Sequence, residues 1–149
     1  MKNIIKNHFI EIQKILYNSN DLINKTYEIS SILKKKIQSK NKIYVYGNGG
    51  SFADASHFVG ELTASYSSKK RRSLPFVLLS SNTAALTGWS NDYDFNDYVS
   101  REFSTLATKG DVLFLFSTSG GNLKTKRSLN LIKLAKIAKS KKIEIIALL

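Results

Sequence analysis

Two stretches of this sequence carry the groups that hold an anion: Gly47-Asn48-Gly49-Gly50-Ser51 and Ser117-Thr118-Ser119-Gly120-Gly121-Asn122. Glycines let backbone approach a ligand closely, and hydroxyls and amides donate hydrogen bonds. Free N–H groups at the start of a following helix add a preference for negative charge. Either stretch alone could be a tight turn with a helix cap. Two together, both bearing hydroxyls, point to a phosphate or a sugar. Neither fits a dinucleotide fingerprint or a Walker loop. Between them lie Asp54, His57 and Glu61. His57 and Glu61 are four apart and share one face of a helix. That spacing suits a shared divalent metal or an acid–base pair, and equally an ordinary contact on a solvated face. A third stretch, Trp89 to Asp97, is acidic and amide-rich. Its Asn91 and Asp92 could bind sugar hydroxyls, while Asp94 or Asn96 could cap the next helix. Trp89 reads better as a core or interface residue than as a sugar platform.

The elements that must position these residues follow from hydrophobic periodicity. Ile5, Phe9, Ile12 and Leu16, then Leu22, Ile23, Ile29 and Leu33, recur at helical spacing. Asn18 to Asp21 interrupts them, so residues 1–40 read as an N-terminal helical segment of two helices. The first helix could pack on another subunit as easily as on its own core. Residues 41–149 alternate strand and helix. Strands are expected at Ile43–Tyr46, Phe76–Ser80, Val112–Phe116 and Ile143–Leu149. Helices are expected over Phe52–Tyr66, Thr83–Leu86 behind an Asn82 cap, Phe95–Ala107, and from just after Asn122 to about Lys139. This predicts an α/β fold, a three-layer sandwich around a central parallel sheet. In such a sheet both Gly/Ser turns lie at the carboxyl ends of strands, where ligands bind.

Composition narrows the classes further. The chain has no cysteine, which excludes disulfides and thiolate metal sites. It shows neither a secretory signal nor a run of ~20 apolar residues, so the expected location is the cytoplasm and no membrane partner is expected. The formal net charge is +12. The lysines are spread over helix surfaces. The densest clusters, Lys34-Lys35-Lys36 and Lys69-Lys70-Arg71-Arg72, lack the interleaved aromatics of a single-strand surface. Nucleic acid is therefore not the expected partner, and a basic field also suits an anionic sugar.

Taken together, the motifs resemble a known family. Gly47 to Ser51, continuing to Asp54, His57, Phe58, Glu61, Leu62 and Thr63, is similar to the first signature of the phosphoheptose isomerases, a branch of the sugar isomerase (SIS) family. Asn91-Asp92 with Phe95-Asn96-Asp97 is similar to the second. Gly110 to Leu113 followed by Ser117-Thr118-Ser119-Gly120 is similar to the third, the phosphate-binding serine turn. The resemblance implies isomerisation of D-sedoheptulose 7-phosphate to D-glycero-D-manno-heptose 7-phosphate through an enediol, for activated-heptose and surface polysaccharide synthesis. It implies Glu61 as base and zinc ligand and His57 as zinc ligand, both facing the cleft of the two turns. Asn48, Gly49, Gly50, Ser51, Asn91 and Asp92 would line the sugar; Ser117, Thr118, Ser119 and Asn122 would hold the phosphate. It also implies a homotetramer with active sites between subunits.

The sequence departs from the family in three places. Gly121-Asn122 stands where an asparagine and a serine are usual, and Ser65 where an arginine is usual. The family also continues past the strand ending at Leu149 with another strand and a helix, whose glutamine and histidine complete the zinc site. His8 does not match that histidine, so the 149 residues alone are expected to be a poor isomerase. The alternative is a non-catalytic relative that binds a phosphosugar or the replication initiator DnaA, a branch that Ser73-Leu74-Pro75 with Thr87 resembles. His57 and Glu61 favour the enzyme.

Overall fold

The computed structural model of the chain describes residues 1–17, 19–64 and 70–149. The chain divides into two compact units, Met1–Lys34 and Lys35–Leu149. The first is helical: α1 (Lys2–Tyr17) and the greater part of α2 (Asn20–Gln38), with the break where Asn18 to Asp21 predicts it. Neither helix buries a residue. Ile4, Phe9, Leu16 and Ile23 are each more than half exposed.

The second unit carries β1 (Ile43–Tyr46), α3 (Gly50–Thr63), β2 (Phe76–Leu78), α4 (Thr83–Asp92), α5 (Phe95–Leu106), β3 (Val112–Phe116), α6 (Leu129–Ser140) and β4 (Glu144–Leu148). The strands pair in the order β2-β1-β3-β4, every pair parallel. β1 and the first four residues of β3 are buried throughout, which is why both read as unbroken apolar and aromatic runs. Alternate residues serve opposite faces. Tyr44, Tyr46, Leu113 and Leu115 pack with Val99 and Phe103 of α5 and Leu131, Leu134 and Ala138 of α6. On the other face Phe58 of α3 sits 5.6 Å from Phe76, 5.3 Å from Phe114 and 5.6 Å from Phe116, ring centre to ring centre. Three layers result, as expected. At the opposite edge from the Gly/Ser turns, buried Asp111 accepts hydrogen bonds from Lys42 N at 2.8 Å, Thr108 N at 2.8 Å and the Thr108 hydroxyl at 3.1 Å. This carboxylate ties the entry of β1 to the entry of β3.

Several boundaries differ from expectation. Asn82 does cap α4, through Ala85 N, but the helix runs on to Asp92 and absorbs half of the amide-rich stretch. Asp94, not Asn96, caps α5. β2 ends at Leu78. α3 begins at Gly50 and ends at Thr63, with Ala64 as its C-cap; residues 65 and 66 of the expected extension lie outside the described residues. The largest difference is α6, which starts at Leu129 and not directly after Asn122. Residues 123–126 form a turn closed by an antiparallel bridge between Asn122 and Arg127.

Candidate active site

Because β1 and β3 are parallel neighbours, with Tyr46 opposite Leu115, the two Gly/Ser turns leave the same edge of the sheet side by side. The first turn is tight. A Cβ on Gly47 would lie 2.4 Å from the Ser51 carbonyl oxygen, and Gly49 has φ of 56°. Glycine is required at both positions. The turn feeds straight into α3: Ser51 N donates to Asn48 O, and Phe52 N and Ala53 N to Gly49 O. Among the described residues the N–H groups of Gly49 and Gly50 have no partner, which leaves two donors at a helix start.

Beside this turn a cleft of about 550 Å³ opens over the carboxyl ends of β1 and β2. Asn48, Gly49, Phe52 and Ser56 form one wall, Ser80, Ser81 and Thr83 another. Sequence pattern places Ser80 only at the end of a strand and does not mark it as a site residue. It is buried with φ of 61°, its N–H donates to Glu102 Oε2 at 2.7 Å, and its hydroxyl has no partner among the described residues.

The second turn is built differently. Ser117 Oγ accepts from Gly120 N at 2.9 Å, so this hydroxyl holds its own loop, while Thr118 and Ser119 are exposed. Gly121 is pressed against α6: a Cβ there would fall 2.4 Å from Ile132 Cγ1 and 3.2 Å from Ser128 O. That contact explains why no side chain stands at 121. Asn122 Oδ1 accepts from Thr125 N at 3.0 Å and belongs to the inserted turn, so the residue at the start of α6 is Ser128.

His57 and Glu61 meet each other, Nε2 to Oε1 at 3.1 Å. They do not line the cleft; the wall residue of that helix turn is Ser56, about 100° round from His57. That cleft takes no residue from the Ser117–Asn122 turn either. His57 lies on the solvent side of α3 with 78% of its side chain exposed, and Glu61 with 43%. Among the described residues no group of three or more His, Cys, Asp or Glu side chains converges. Two donors fall short of a closed zinc site, so these residues do not by themselves fit the metal. Arg71, read from sequence as part of a basic cluster, donates to the carbonyls of Glu61 at 2.7 Å and Leu62 at 2.8 Å and so closes the end of α3.

Asn91 and Asp92, at the end of α4, are exposed and bonded to each other at 2.9 Å, away from the cleft wall. Trp89 stacks on Tyr93 with ring centres 4.3 Å apart, and the Arg101 guanidinium lies 4.6 Å from its ring centre. That is a structural role and not a sugar platform. Asp94 and Asp97 both pair with Lys133, joining α5 to α6. The hydrogen bond from Asn96 N is the main reason the Asp94 carboxyl titrates below the usual range.

A family model for the SIS domain matches residues 9–149. The phosphoheptose isomerase of Campylobacter concisus is 39% identical over 136 residues, which cover 91% of this chain and 70% of the relative. That of Aliarcobacter butzleri is 38% identical over 140 residues, covering 93% and 70%. Among solved structures, the phosphoheptose isomerase of Neisseria gonorrhoeae superposes with a TM-score of 0.79 at 32% identity, covering 98% of this chain and 73% of that one. No helix among the described residues is long and apolar enough to cross a membrane. With the SIS model spanning nearly the whole chain and relatives of this similarity, the chain belongs to the SIS-domain family and, within it, to the phosphoheptose isomerases.

Proposed function

We propose that this chain binds D-sedoheptulose 7-phosphate at the carboxyl edge of the sheet and takes part in its isomerisation to the aldose phosphate. The observation that carries the reading is the His57–Glu61 pair on the helix that starts from the Gly47–Ser51 turn. The phosphate is assigned to Ser117, Thr118 and Ser119, with Asn122 at the rim. The sugar is assigned to the Asn48–Ser51 turn and to Asn91 and Asp92. Glu61 serves as the base: its carboxylate takes a proton from C1 and the electron pair of that C–H bond forms the C1–C2 double bond as the C2 carbonyl opens to an oxyanion; a proton passes from the C1 hydroxyl to the C2 oxygen, C1 becomes the carbonyl, and the carbon-bound proton returns from Glu61 to C2. His57 orients that carboxylate from 3.1 Å. The zinc implied by the family would take His57 and Glu61 as two of its ligands.

The exposure of His57 and Glu61 supports a site completed by further groups at an interface between copies of the chain. The unburied apolar residues of α1 and α2 support a homo-oligomer, a tetramer as in the family resemblance. The test is an assay of sedoheptulose 7-phosphate conversion with Glu61→Gln, and calorimetric titration of the same sugar into Ser119→Ala. Losing the base should lower turnover by about 10²–10⁴-fold. Losing the hydroxyl should weaken binding by about 1.5–3 kcal/mol. Unchanged turnover removes Glu61 from the chemistry, and unchanged affinity removes the serine turn from the site.

A further inference from the structure

We propose that Asn130 and Tyr46 are positioning residues for the sugar-phosphate site, acting on the ligand through Asn48. The inference rests on the phosphosugar reading above and names what holds that site in shape. Asn130 stands in the first turn of α6 and is 1% exposed. Its Nδ2 donates to Tyr46 Oη at 3.0 Å and to Asn48 Oδ1 at 2.8 Å. Its Oδ1 accepts from Asn48 Nδ2 and from Leu131 N, each at 3.0 Å. Tyr46 Oη closes the triangle by donating to Asn48 Oδ1 at 2.9 Å. Every hydrogen-bonding position of the Asn130 amide is filled, as a buried amide requires.

The consequence falls on Asn48. Its Oδ1 accepts twice and its Nδ2 donates once inside the protein, which leaves one N–H for a ligand. A side chain so occupied reads a sugar poorly. What it does is fix the backbone that follows, where Gly49 turns at φ of 56° and the unpartnered N–H groups of Gly49 and Gly50 stand at the start of α3. The other loop depends on the same helix turn, since Gly121 rests on Ser128 and Ile132 on either side of Asn130. One buried amide therefore sets the spacing of the two loops assigned to sugar and phosphate, though it touches neither ligand group.

The test is a double-mutant cycle read by calorimetric affinity for sedoheptulose 7-phosphate, with hydrogen exchange of the free protein over residues 47–52. Tyr46→Phe keeps the ring and removes the hydroxyl; Asn130→Ala removes the amide. Each should weaken affinity about fivefold in the wild-type background and have no further effect in an Asn48→Ala background. Each should also speed exchange at 47–52 while leaving β3 unchanged. Should Asn130→Ala not fold, Tyr46→Phe decides alone. Equal losses in both backgrounds would mean a general structural role, and no loss in the wild type together with unchanged exchange would remove the network from the site. If the wild type itself does not bind the sugar phosphate, the phosphosugar reading fails, and the exchange measurement still decides whether the network orders the loop.

Discussion

The turns after β1 and β3 have nearly the same composition and opposite kinds of support. The first is held from beneath by a buried tyrosine and two interlocked amides, and its helix begins within the motif itself. The second is held by one of its own hydroxyls and by contact with α6, and its helix begins at Leu129 after an inserted turn. Gly, Ser and Asn together state that a loop can bind an anion. They do not state which residues face the ligand and which are spent on the loop. Asn48 and Ser117, both assigned from sequence to the ligand, are already engaged within the protein.

Glycine substitutions give the sharpest contrast. The Cβ of Gly47→Ala would meet the Ser51 carbonyl at 2.4 Å, and that carbonyl belongs to the first turn of α3. Neither backbone can move without opening the helix start, so the cost is expected to be about 3 kcal/mol. The Cβ of Gly121→Ala meets Ile132 Cγ1 at 2.4 Å and Cδ1 at 2.9 Å, side-chain atoms and not a helix backbone, so a smaller cost of about 1–2 kcal/mol is expected. Urea unfolding of the two variants measures both. Equal losses would mean that the second loop is as rigidly seated as the first.

Asn48→Ala comes next. It leaves the Tyr46 hydroxyl without its acceptor and the Asn130 carbonyl without one of its two donors. Stranded buried groups cost about 1–3 kcal/mol, and a loss near 2 kcal/mol is expected in the same unfolding experiment. A neutral result would show that the amide faces the ligand freely and that the network is dispensable.

How far these differences were legible in the sequence depends on the range of the interactions. β1, β3 and the parallel order follow from continuous apolar runs separated by helical spacing. The Asn82 cap is local, three residues from its partner, and was equally readable. The start of α6 was not, because Leu123-Lys124-Thr125-Lys126 has ordinary helix formers and Gly121-Asn122 resembles a cap. Only the pairing of Asn122 with Arg127 and the pressure of Ile132 on Gly121 reveal the inserted turn. Asn130 was invisible for the same reason: its partners lie 82 and 84 positions away. His57 and Glu61 could be placed on one helix face, but the spacing says nothing about what lies opposite that face.

Alkaline pH should separate the two loops as well. Burial pushes the Tyr46 phenol from 10.0 up to about 12, with the Asn130 hydrogen bond working against the shift. Burial, then the Asp111 charge, raises Tyr44 to about 12. The unfolded chain releases these protons near pH 10 and the folded chain near pH 12. Their contribution is therefore complete below pH 10 and is lost as pH rises toward 12. Between them a fall of about 1–2 kcal/mol is expected over that window, allowing for partial solvation. Tyr46→Phe should flatten the fall. No residue of Ser117 to Asn122 titrates there, so hydrogen exchange should quicken at 47–52 before 117–122. Simultaneous loosening would place the alkaline effect in the sheet and not in the first turn.

The smallest effect belongs to Ser117→Ala. Its Oγ accepts from Gly120 N at 2.9 Å across a loop that is open to water, and the Ser119 N–H lies at the edge of reach at 3.5 Å. When the hydroxyl is lost, water can take over the Gly120 N–H, because Gly120 is only half-buried. A single replaceable hydrogen bond of this kind contributes about 0.5–1 kcal/mol. The unfolding midpoint should move by a correspondingly small amount, well below the shift for Asn48→Ala. Affinity for sedoheptulose 7-phosphate should fall more than stability does, since the same hydroxyl is assigned to a phosphate oxygen and hydrogen bonds to charged groups are worth about 1.5–3 kcal/mol. A larger loss of stability than of affinity would reverse the comparison: the second loop would then be the one its own side chains hold together, and the phosphate would be left to Thr118, Ser119 and the backbone.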